Sequence, residues 1–237
     1  MPKQTVVIFG ASGAIGQALC GSFLAKDYAV TAVSRRGVAP NGAQSGADWL
    51  AWDALDGDAK FPSGYSRQFD AVVWAQGANC SDDIHTFDLK VHESLYAANV
   101  TYILLALQAM LRGGLLAQSA RLCIISSIWQ NLARQNKLSY CITKSALHGL
   151  VQSLAVDLGQ SGYLVNAVLP GALDTPMTRA NLSGEQISRL EAATPLGSLP
   201  GLNDVCQLVG FLCSRENTGI TGQFVAADRG FSYARIV

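Results

Sequence analysis

Short apolar runs alternate with helical stretches along nearly the whole chain, and this alternation constrains the fold more than any other feature. The apolar runs are too short for helices, are rich in Val, Ile or aromatic residues, and lack a polar face, as do strands covered on both sides. They span residues 5–9, 29–33, 49–52, 71–74, 121–125, 164–169 and 224–226. The helical stretches span residues 15–26, 92–111, 139–160 and 203–214. Repeated strand–helix units of this kind predict an α/β fold with a doubly wound parallel sheet.

The whole chain, residues 1–237, is expected to form one domain. Domains of this class often exceed about 200 residues. Hydrophobic residues make up 49% of the chain and charged residues 14%, which suits a single large, well-covered core.

Several stretches between the predicted elements are interpreted as irregular. Residues 37–48 and 56–64 are rich in Gly, Pro and Asp and are expected to form surface loops. The interval between residues 53 and 70 is short for a crossover helix, so a shortened or irregular helix is expected there. Residues 175–199 are polar, contain Pro and Gly, and lack a strand pattern, which predicts a mobile flap near the substrate.

Charge and cysteine content argue against several classes of protein. Lys plus Arg and Asp plus Glu both total 17, so there is no electrostatic reason to expect a nucleic acid or a membrane surface as partner.

The N-terminus lacks the apolar region of a signal peptide, and the apolar run 100–110 is too short to span a bilayer. The six cysteines are scattered without a Cys-x-x-Cys pair and are interpreted as reduced residues of a cytoplasmic protein. His85, His92 and His148 show no ligand spacing, and no metal site is predicted.

Three glycines follow the first predicted strand and open the first predicted helix. Gly10, Gly13 and Gly16 have the spacing at which a tight turn, a close backbone approach and a helix N-terminus together bind a pyrophosphate. Glycines that merely punctuate a strand-to-helix turn are the alternative, but the strand before and the helix after favour a Rossmann-type nucleotide site. The turn residues expected to contact the cofactor are Gly10, Ser12, Gly13, Ala14, Ile15 and Gly16.

The second predicted strand ends in two arginines without an acidic residue. In this fold a carboxylate here binds the ribose 2′-hydroxyl of NAD, whereas an arginine accommodates the 2′-phosphate of NADP. Ser34, Arg35 and Arg36 therefore predict NADP(H) in preference to NAD(H), with a solvated loop as the alternative. Asp53, followed by Ala54, comes directly after the third predicted strand and is expected to reach the adenine. An aspartate that starts a loop for structural reasons is the alternative.

Tyr140 and Lys144 lie four positions apart in a predicted helix, downstream of Ser127. Side chains at this spacing share a helix face, with Cβ atoms roughly 5–6 Å apart. An ammonium group this close can act on a phenol whose ordinary pKa of about 10 hinders proton transfer at neutral pH. The spacing also arises by chance on surface helices, so its meaning depends on the surrounding motifs.

These motifs together resemble the short-chain dehydrogenase/reductase family over almost the whole chain. Besides the glycine turn, the matching positions are Asn99, Ser127, Tyr140, Lys144, the segment 166–171, Thr175, and the segments 194–197, 204–214 and 220–228. The resemblance implies an oxidoreductase in which Tyr140 is the general acid or base and Lys144 lowers its pKa. It also implies that Ser127 holds the substrate oxygen, and that Asn99 positions a water linking Lys144 to solvent.

The remaining candidate residues are assigned from the same resemblance and from their position after Ser127. The further expected cofactor contacts are Ala75, Gln76, Gly77, Asn99, Tyr140, Lys144, Pro170, Gly171, Leu173 and Thr175. The expected substrate contacts are Ser127, Trp129 and Tyr140. Further candidates, with exposed loop positions as the alternative, are Gln130, Asn131, Thr178, Arg179 and Asn181.

Three motifs depart from the family pattern. In place of the usual Thr-Gly-x-x-x-Gly-x-Gly turn, this chain has Phe9 instead of Thr and Ala14 instead of the middle Gly. The resulting glycine spacing is nearer that of the extended branch of the family, although the length and the C-terminus fit the classical branch. Gln76 stands in the Trp-Ala-Gln-Gly segment that replaces the usual Asn-Asn-Ala-Gly, and this calls a sheet-stabilising contact into question. Arg229 interrupts the usual Asp-Gly-Gly and is expected to alter a turn near the C-terminus.

The leading hypothesis is an NADP(H)-dependent carbonyl reductase or alcohol dehydrogenase acting on a small or medium-sized substrate. The glycine spacing suggests one alternative, an epimerase or dehydratase that retains its cofactor. A non-catalytic nucleotide-binding regulator on the same fold is another. The resemblance further implies a homodimer or homotetramer formed through the two long helices and the C-terminal strand.

Overall fold

The structure is a computed structural model that describes residues 3–57, 60–62, 67–175, 178–179 and 182–233. Its strands are β1 (Thr5–Phe9), β2 (Ala29–Ser34), β3 (Asp48–Ala51), β4 (Phe69–Trp74), β5 (Leu116–Ile125), β6 (Leu164–Pro170) and β7 (Phe224–Ala227). They form one parallel sheet in the order β3-β2-β1-β4-β5-β6-β7. The strand order reverses between β1 and β4, and in such sheets ligands bind beyond the carboxyl ends of the strands at that reversal. The predicted doubly wound Rossmann fold is confirmed.

The helices cover both faces of this sheet. They are α1 (Ala14–Ala25), α2 (Leu89–Tyr96), α3 (Tyr102–Arg112), α4 (Leu138–Gly159), α5 (Gly184–Ala192) and α6 (Leu202–Leu212), with 3₁₀ turns at Ile128–Gln130 and Phe231–Tyr233. Successive residues of a strand face opposite sides. Val7 of β1 therefore packs with α3 and α4, whereas Ile8 packs with α1 and α6.

Two helical regions differ from the prediction. The helix predicted over residues 92–111 begins at Leu89, and a π-helical turn, Ala97–Thr101, separates α2 from α3. The flap predicted over residues 175–199 contains α5, which begins with a capping box between Ser183 and Gln186. The polar composition of this stretch concealed the helix. The described part of residues 53–70 holds turns and no helix, and the mobility of the flap stays a prediction.

The helical stretch Leu89–Arg112 is long and apolar enough to cross a membrane by length and composition alone. Core helices pass the same test, and Ile103, Leu107 and Met110 of this stretch are buried against the sheet. The predicted apolar run, residues 100–110, was therefore too short, because the apolar helical stretch begins at Leu89 and ends at Arg112.

Phe9 explains the first departure from the family pattern. Its fully buried ring stacks on Trp74 with a centroid distance of 5.8 Å. It also contacts Trp52, Phe61 and Tyr102 at centroid distances of 5.7, 6.4 and 6.0 Å. Aromatic rings stabilise a core through their large buried area. The residue at position 9 is thus part of an aromatic core below the carboxyl end of β1.

Candidate active site

Ser127, Tyr140 and Lys144 meet at the carboxyl end of β5. Ser127 follows the strand by two residues, and α4 carries the other two side chains one turn apart. The Ser127 hydroxyl lies close enough to the Tyr140 phenol to lower its pKa by hydrogen bonding. Lys144 Nζ donates to the main-chain oxygen of Ile125 at 3.1 Å and lies 5.7 Å from the centre of the Tyr140 ring. The structure therefore brings together the three residues that the sequence paired only by spacing.

Ser126, the neighbouring serine, has a different partner. Its hydroxyl donates to Gln130 Oε1 at 2.7 Å, and the Gln130 amide nitrogen contacts Asn131 Oδ1 at 3.5 Å. The Ser127 oxygen instead accepts from the Trp129 main-chain N–H at 3.3 Å. Ser127 is thus the serine whose hydroxyl belongs to the tyrosine cluster, whereas Ser126 and Gln130 stabilise the turn behind it.

Burial dominates the electrostatics of this cluster. It raises the pKa of Tyr140 above its ordinary value, and the hydrogen bond with Ser127 offsets only part of that rise. Burial also lowers the pKa of Lys144 to about 8. The implied lowering of the tyrosine pKa by Lys144 is therefore not found, because burial outweighs the other effects on the phenol and the Lys144 ammonium is directed to a main-chain oxygen.

Asn99 lies in the π-helical turn and is 1% exposed. Its side-chain oxygen accepts from the Ala78 N–H at 2.7 Å, and its nitrogen donates to the Ala78 oxygen at 3.1 Å and to Thr143 Oγ1 at 2.9 Å. The amide thus joins the loop after β4 to α4. Its implied role in positioning a water stays a prediction. π-helical turns are frequent at functional sites, but the good helix formers around Asn99 gave no sequence signal for this one.

Asp82 is a site residue that the sequence did not single out. The N-terminus of α4 has Lys137 as its N-cap, which makes no side-chain capping bond. The buried Asp82 supplies that cap from the loop after β4, because its carboxylate oxygens accept from the Ser139 N–H at 3.1 and 3.3 Å. Burial acts to raise the pKa of Asp82, but hydrogen bonds from the Ser139 hydroxyl and N–H outweigh it and lower the pKa. Tyr140 is the next residue along the helix, so this long-range cap fixes the turn that carries it.

His92 and Lys137 belong to the same loop–helix contact. His92 Nδ1 lies 2.9 Å from Ser139 Oγ, and Lys137 Nζ donates to the Cys80 oxygen at 2.7 Å. The other two histidines lie elsewhere: His148 stacks on Phe224 with a centroid distance of 4.4 Å, and His85 is exposed.

The glycine turn has the geometry that its spacing predicted. Gly10 has a φ of +73°, and a Cβ there would lie 2.4 Å from Gln76 N. A Cβ at Gly16 would lie 2.3 Å from the Gly10 oxygen, so neither position accepts a side chain. Gly13 is the N-cap of α1 and makes no side-chain capping bond, which leaves the first N–H groups of the helix open to an anion.

A cleft of about 470 Å³ extends from this turn across the carboxyl ends of β2, β1 and β4. The predicted cofactor residues that line it are Gly10, Ser12, Gly13, Ser34, Arg35, Asp53, Ala75, Gln76 and Gly77. Trp52 and Tyr102 also line the cleft and were not predicted. The buried amide atoms of Gln76 have no hydrogen-bond partner among the described residues, so a bound ligand can satisfy them. These features fit a dinucleotide.

Some predicted cofactor residues lie behind the cleft or beside it. Ala54 is fully buried in the core, Ile15 and Leu173 pack against the core, and Arg36 is exposed next to Arg35. Ala14 and Gly16 belong to the first turn of α1. Asp53 Oδ1 accepts from the Leu55 N–H at 3.0 Å. This is the structural role at the start of a loop that the sequence offered as the alternative to an adenine contact.

The segment after β6 lies on the other side of the tyrosine cluster. The Gly171 N–H, directly after Pro170, donates to the Ala227 oxygen at 3.1 Å. Thr175 is buried, and its hydroxyl lies 3.1 Å from that of Thr178. Arg179 makes an ion pair with Asp174, with Nε and Oδ1 at 2.6 Å. Asn181 lies outside the described residues.

Arg229 explains the departure at the C-terminal turn. It has a φ of +55°, a conformation that glycine adopts without strain. Its Nε donates to Asp204 Oδ2 at 3.1 Å, and it also binds Ser198. The arginine therefore ties the C-terminal turn to the end of the predicted flap and to the start of α6.

Comparisons with known proteins agree with this geometry. A family model described as enoyl-(acyl carrier protein) reductase matches residues 59–232. The uncharacterized oxidoreductase YmfI of Bacillus subtilis is 27% identical over 242 residues, which cover 97% of this chain and 99% of YmfI. The 3-oxoacyl-(acyl-carrier-protein) reductase FabG of Escherichia coli is 27% identical over 239 residues, 96% of each chain.

A solved structure has the same fold. It is a gluconate 5-dehydrogenase from Burkholderia cenocepacia in complex with NADP and tartrate, and it is 21% identical with a TM-score of 0.88. The match covers 99% of this chain and 97% of that chain.

Proposed function

The chain belongs to the short-chain dehydrogenase/reductase family and is an oxidoreductase, and from this premise we propose that it transfers a hydride between NADP(H) and a carbonyl or alcohol substrate. The observation that carries the proposal is the pair of Ser127 and Tyr140 beside the buried Lys144 at the carboxyl end of β5. The pair lies at the same edge of the sheet as the glycine cleft, so a proton donor and a nicotinamide cofactor would meet there.

The proposed roles follow from the polarity of each group. In reduction, Ser127 donates a hydrogen bond to the carbonyl oxygen and stabilises the negative charge that develops on it. Tyr140 gives its phenolic proton to that oxygen, and in oxidation it takes the proton back. Lys144 is proposed to hold the nicotinamide ribose through its ammonium group when the cofactor is bound. The nicotinamide supplies or accepts the hydride when it is bound.

The cofactor would be held along the cleft described above. The glycine turn and the open end of α1 suit its phosphates, and the Gln76 amide offers a donor and an acceptor without other partners. Asp53, which lines the cleft, is proposed to border the adenine. The residues proposed to surround the nicotinamide and its ribose are Asn99, Tyr140, Lys144, Pro170, Gly171, Leu173 and Thr175.

A preference for NADP(H) over NAD(H) is part of the proposal. Arg35 is exposed at the edge of the cleft, directly after β2. Ser34 Oγ accepts from the Gly37 N–H at 3.1 Å and so fixes the turn that presents Arg35 and Arg36. A guanidinium here suits a 2′-phosphate, whereas no carboxylate is present at the end of β2 to bind a 2′-hydroxyl.

We further propose a cytoplasmic homodimer or homotetramer. The support is a set of exposed apolar side chains on α2, α3 and α4: Leu89, Val91, Leu104, Leu105, Leu111, Ile142 and Val156. Buried, unpaired cysteines such as Cys123 and Cys213 suit a reducing compartment. Sedimentation equilibrium tests the assembly, and a monomer at micromolar concentration would contradict it.

Deuterium transfer tests the proposed reaction. The protein is incubated with a panel of ketones and with NADPH labelled at C4 in either the pro-R or the pro-S position. We expect one of the two labels to appear on the carbinol carbon of the product. NADPH binding without consumption across the panel would contradict the proposal. Cofactor retained through purification without net consumption would instead favour an epimerase or dehydratase.

A further inference from the structure

A small cavity lies against the turn that follows Ser127 and shares no lining residue with the glycine cleft. It is enclosed by the 3₁₀ turn after Ser127, by α5 and the segment after it, and by the C-terminal turn. Its apolar lining comprises Ile128, Trp129, Leu190, Leu199, Pro200 and Phe231. The volume of about 10 Å³ is room for about one water-sized or methyl-sized group.

One wall of this cavity is fixed directly to the candidate catalytic serine. The Trp129 N–H donates to Ser127 Oγ at 3.3 Å, while the Trp129 ring lines the cavity. The ring meets that of Phe231 edge-on at a centroid distance of 6.3 Å. A substrate whose oxygen is held by Ser127 would therefore place a neighbouring substituent against this aromatic wall.

The polar residues of the described lining already have protein partners. The Thr194 hydroxyl donates to the Leu190 oxygen at 2.8 Å. Both carboxylate oxygens of Asp228 accept main-chain N–H groups, from Gly230 at 2.9 Å and from Ser232 at 2.8 Å. A substrate hydroxyl entering the cavity would lose its hydrogen bonds to water and would meet a mainly apolar lining, in which each of these polar groups already has a partner.

Two polar residues that do not line the cavity are engaged as well. The Gln130 oxygen accepts from Ser126 at 2.7 Å, and the Arg179 guanidinium is bound to Asp174 at 2.6 and 2.8 Å. Gln130 and Arg179 are two of the further substrate candidates from the sequence; Asn131 and Thr178 also have hydrogen-bond contacts, and Asn181 lies outside the described residues. The described lining of the cavity is therefore mainly apolar, and hydrocarbon is the chemistry that it favours.

We infer that the substrate is a ketone or secondary alcohol that carries a short hydrocarbon substituent beside the reacting carbon, and not a polyol or sugar. The inference rests on the proposed function, because it assumes that Ser127 holds the reacting oxygen. A hydroxyl in place of a methyl on that substituent loses at least one hydrogen bond to water. It should therefore lower kcat/KM by about tenfold or more.

Isosteric ketone pairs test this inference. Hydroxyacetone has a hydroxyl where butanone has a methyl. Dihydroxyacetone likewise has a hydroxyl on each arm where 3-pentanone has a methyl. We expect the hydrocarbon member of each pair to be reduced with at least about tenfold higher kcat/KM. The hydroxyl activates the carbonyl intrinsically, so the comparison is biased against the inference. Equal or faster reduction of the hydroxyketones would overturn it.

A matched pair of leucine variants locates the effect. Leu190→Asn places an amide in the cavity, whereas Leu196→Asn makes the same change at a side chain that is 70% exposed. We expect the preference for butanone to fall at least fivefold in Leu190→Asn and to stay within twofold of the wild type in Leu196→Asn. Circular dichroism checks that both variants are folded. An unchanged preference in a folded Leu190→Asn variant would overturn the inference.

Binding measured without turnover separates this inference from the proposed function. Saturation-transfer NMR is recorded on Tyr140→Phe with NADP⁺, using butanone and hydroxyacetone as ligands. A butanone signal that is lost when Leu190→Asn is added supports the apolar subsite. This holds even if the wild type reduces neither ketone, because the absence of reduction would defeat only the proposed function. An equal hydroxyacetone signal, or no butanone signal, would defeat the subsite.

Discussion

Replacing Lys144 by methionine should make the cofactor-free protein more stable and inactive. The Lys144 side chain is 5% exposed, and burial lowers its pKa from 10.5 to about 8. Each pKa unit corresponds to about 1.4 kcal/mol, so holding the buried charge costs about 3 kcal/mol of folding free energy at neutral pH. Methionine removes this cost but leaves the Ile125 oxygen without the bond from Nζ, a loss of about 1 kcal/mol. The free energy of unfolding should therefore rise by about 2 kcal/mol at pH 7.

The pH dependence of this gain has a fixed sign. Below about pH 8 the lysine is charged in both states, and the wild type bears the full cost of burying it. Between about pH 8 and 10.5 the folded protein releases the proton while the unfolded chain keeps it, so wild-type stability rises relative to the variant. Above this range neither state holds the proton, and the cost of the charge is gone.

Urea unfolding followed by tryptophan fluorescence measures both effects. The advantage of Lys144→Met should shrink by about 2 kcal/mol from pH 7 to pH 10. The exposed Lys90 on α2 offers the same substitution as a control, and Lys90→Met should change stability by less than about 0.5 kcal/mol. A Lys144→Met variant that is less stable than the wild type at pH 7, or an advantage that does not change with pH, would refute the reasoning.

Three further variants test separate parts of the site. Arg35→Ala should weaken NADPH binding about tenfold or more in a fluorescence titration and leave NADH binding within about twofold, because only NADPH carries the 2′-phosphate; equal losses would contradict this. Ser127→Ala should lower kcat about 100-fold, whereas Ser126→Ala in the same strand end should stay within about fivefold, and similar losses would remove the distinction between the two hydroxyls. Asp82→Ala should lower kcat about tenfold with the NADPH dissociation constant nearly unchanged, because Asp82 caps the helix turn at Ser139 outside the cofactor cleft. An unchanged kcat would show that the cap does not position the tyrosine.

The sequence predicted the sheet and the central cluster because both depend on local patterns. Short apolar runs identified each strand of the sheet, and the thirteen-residue interval before Tyr140 favoured Ser127 over Ser126. The four-residue spacing placed Tyr140 and Lys144 on one helix face, which any α-helix enforces.

The parts that were missed depend on long-range packing or on weaker local signals. The Asp82 cap joins residues 57 positions apart and has no local pattern. The raised pKa of Tyr140 follows from burial, which its neighbours in sequence do not report. The helix α5 did carry a signal, since Ser183 and Gln186 have capping-box spacing, but the polar composition around it suggested a flap.

Tyr140→Phe tests the central claim most directly, because it removes the phenolic hydroxyl and little else. In the variant, kcat with a ketone that the wild type reduces should fall at least 100-fold, while the NADPH dissociation constant stays within about threefold. Tyr163→Phe, at a tyrosine that packs against the core before β6, is the matched control and should keep both values. A Tyr140→Phe variant that retains wild-type kcat would contradict the assignment of Tyr140 as the proton donor and acceptor.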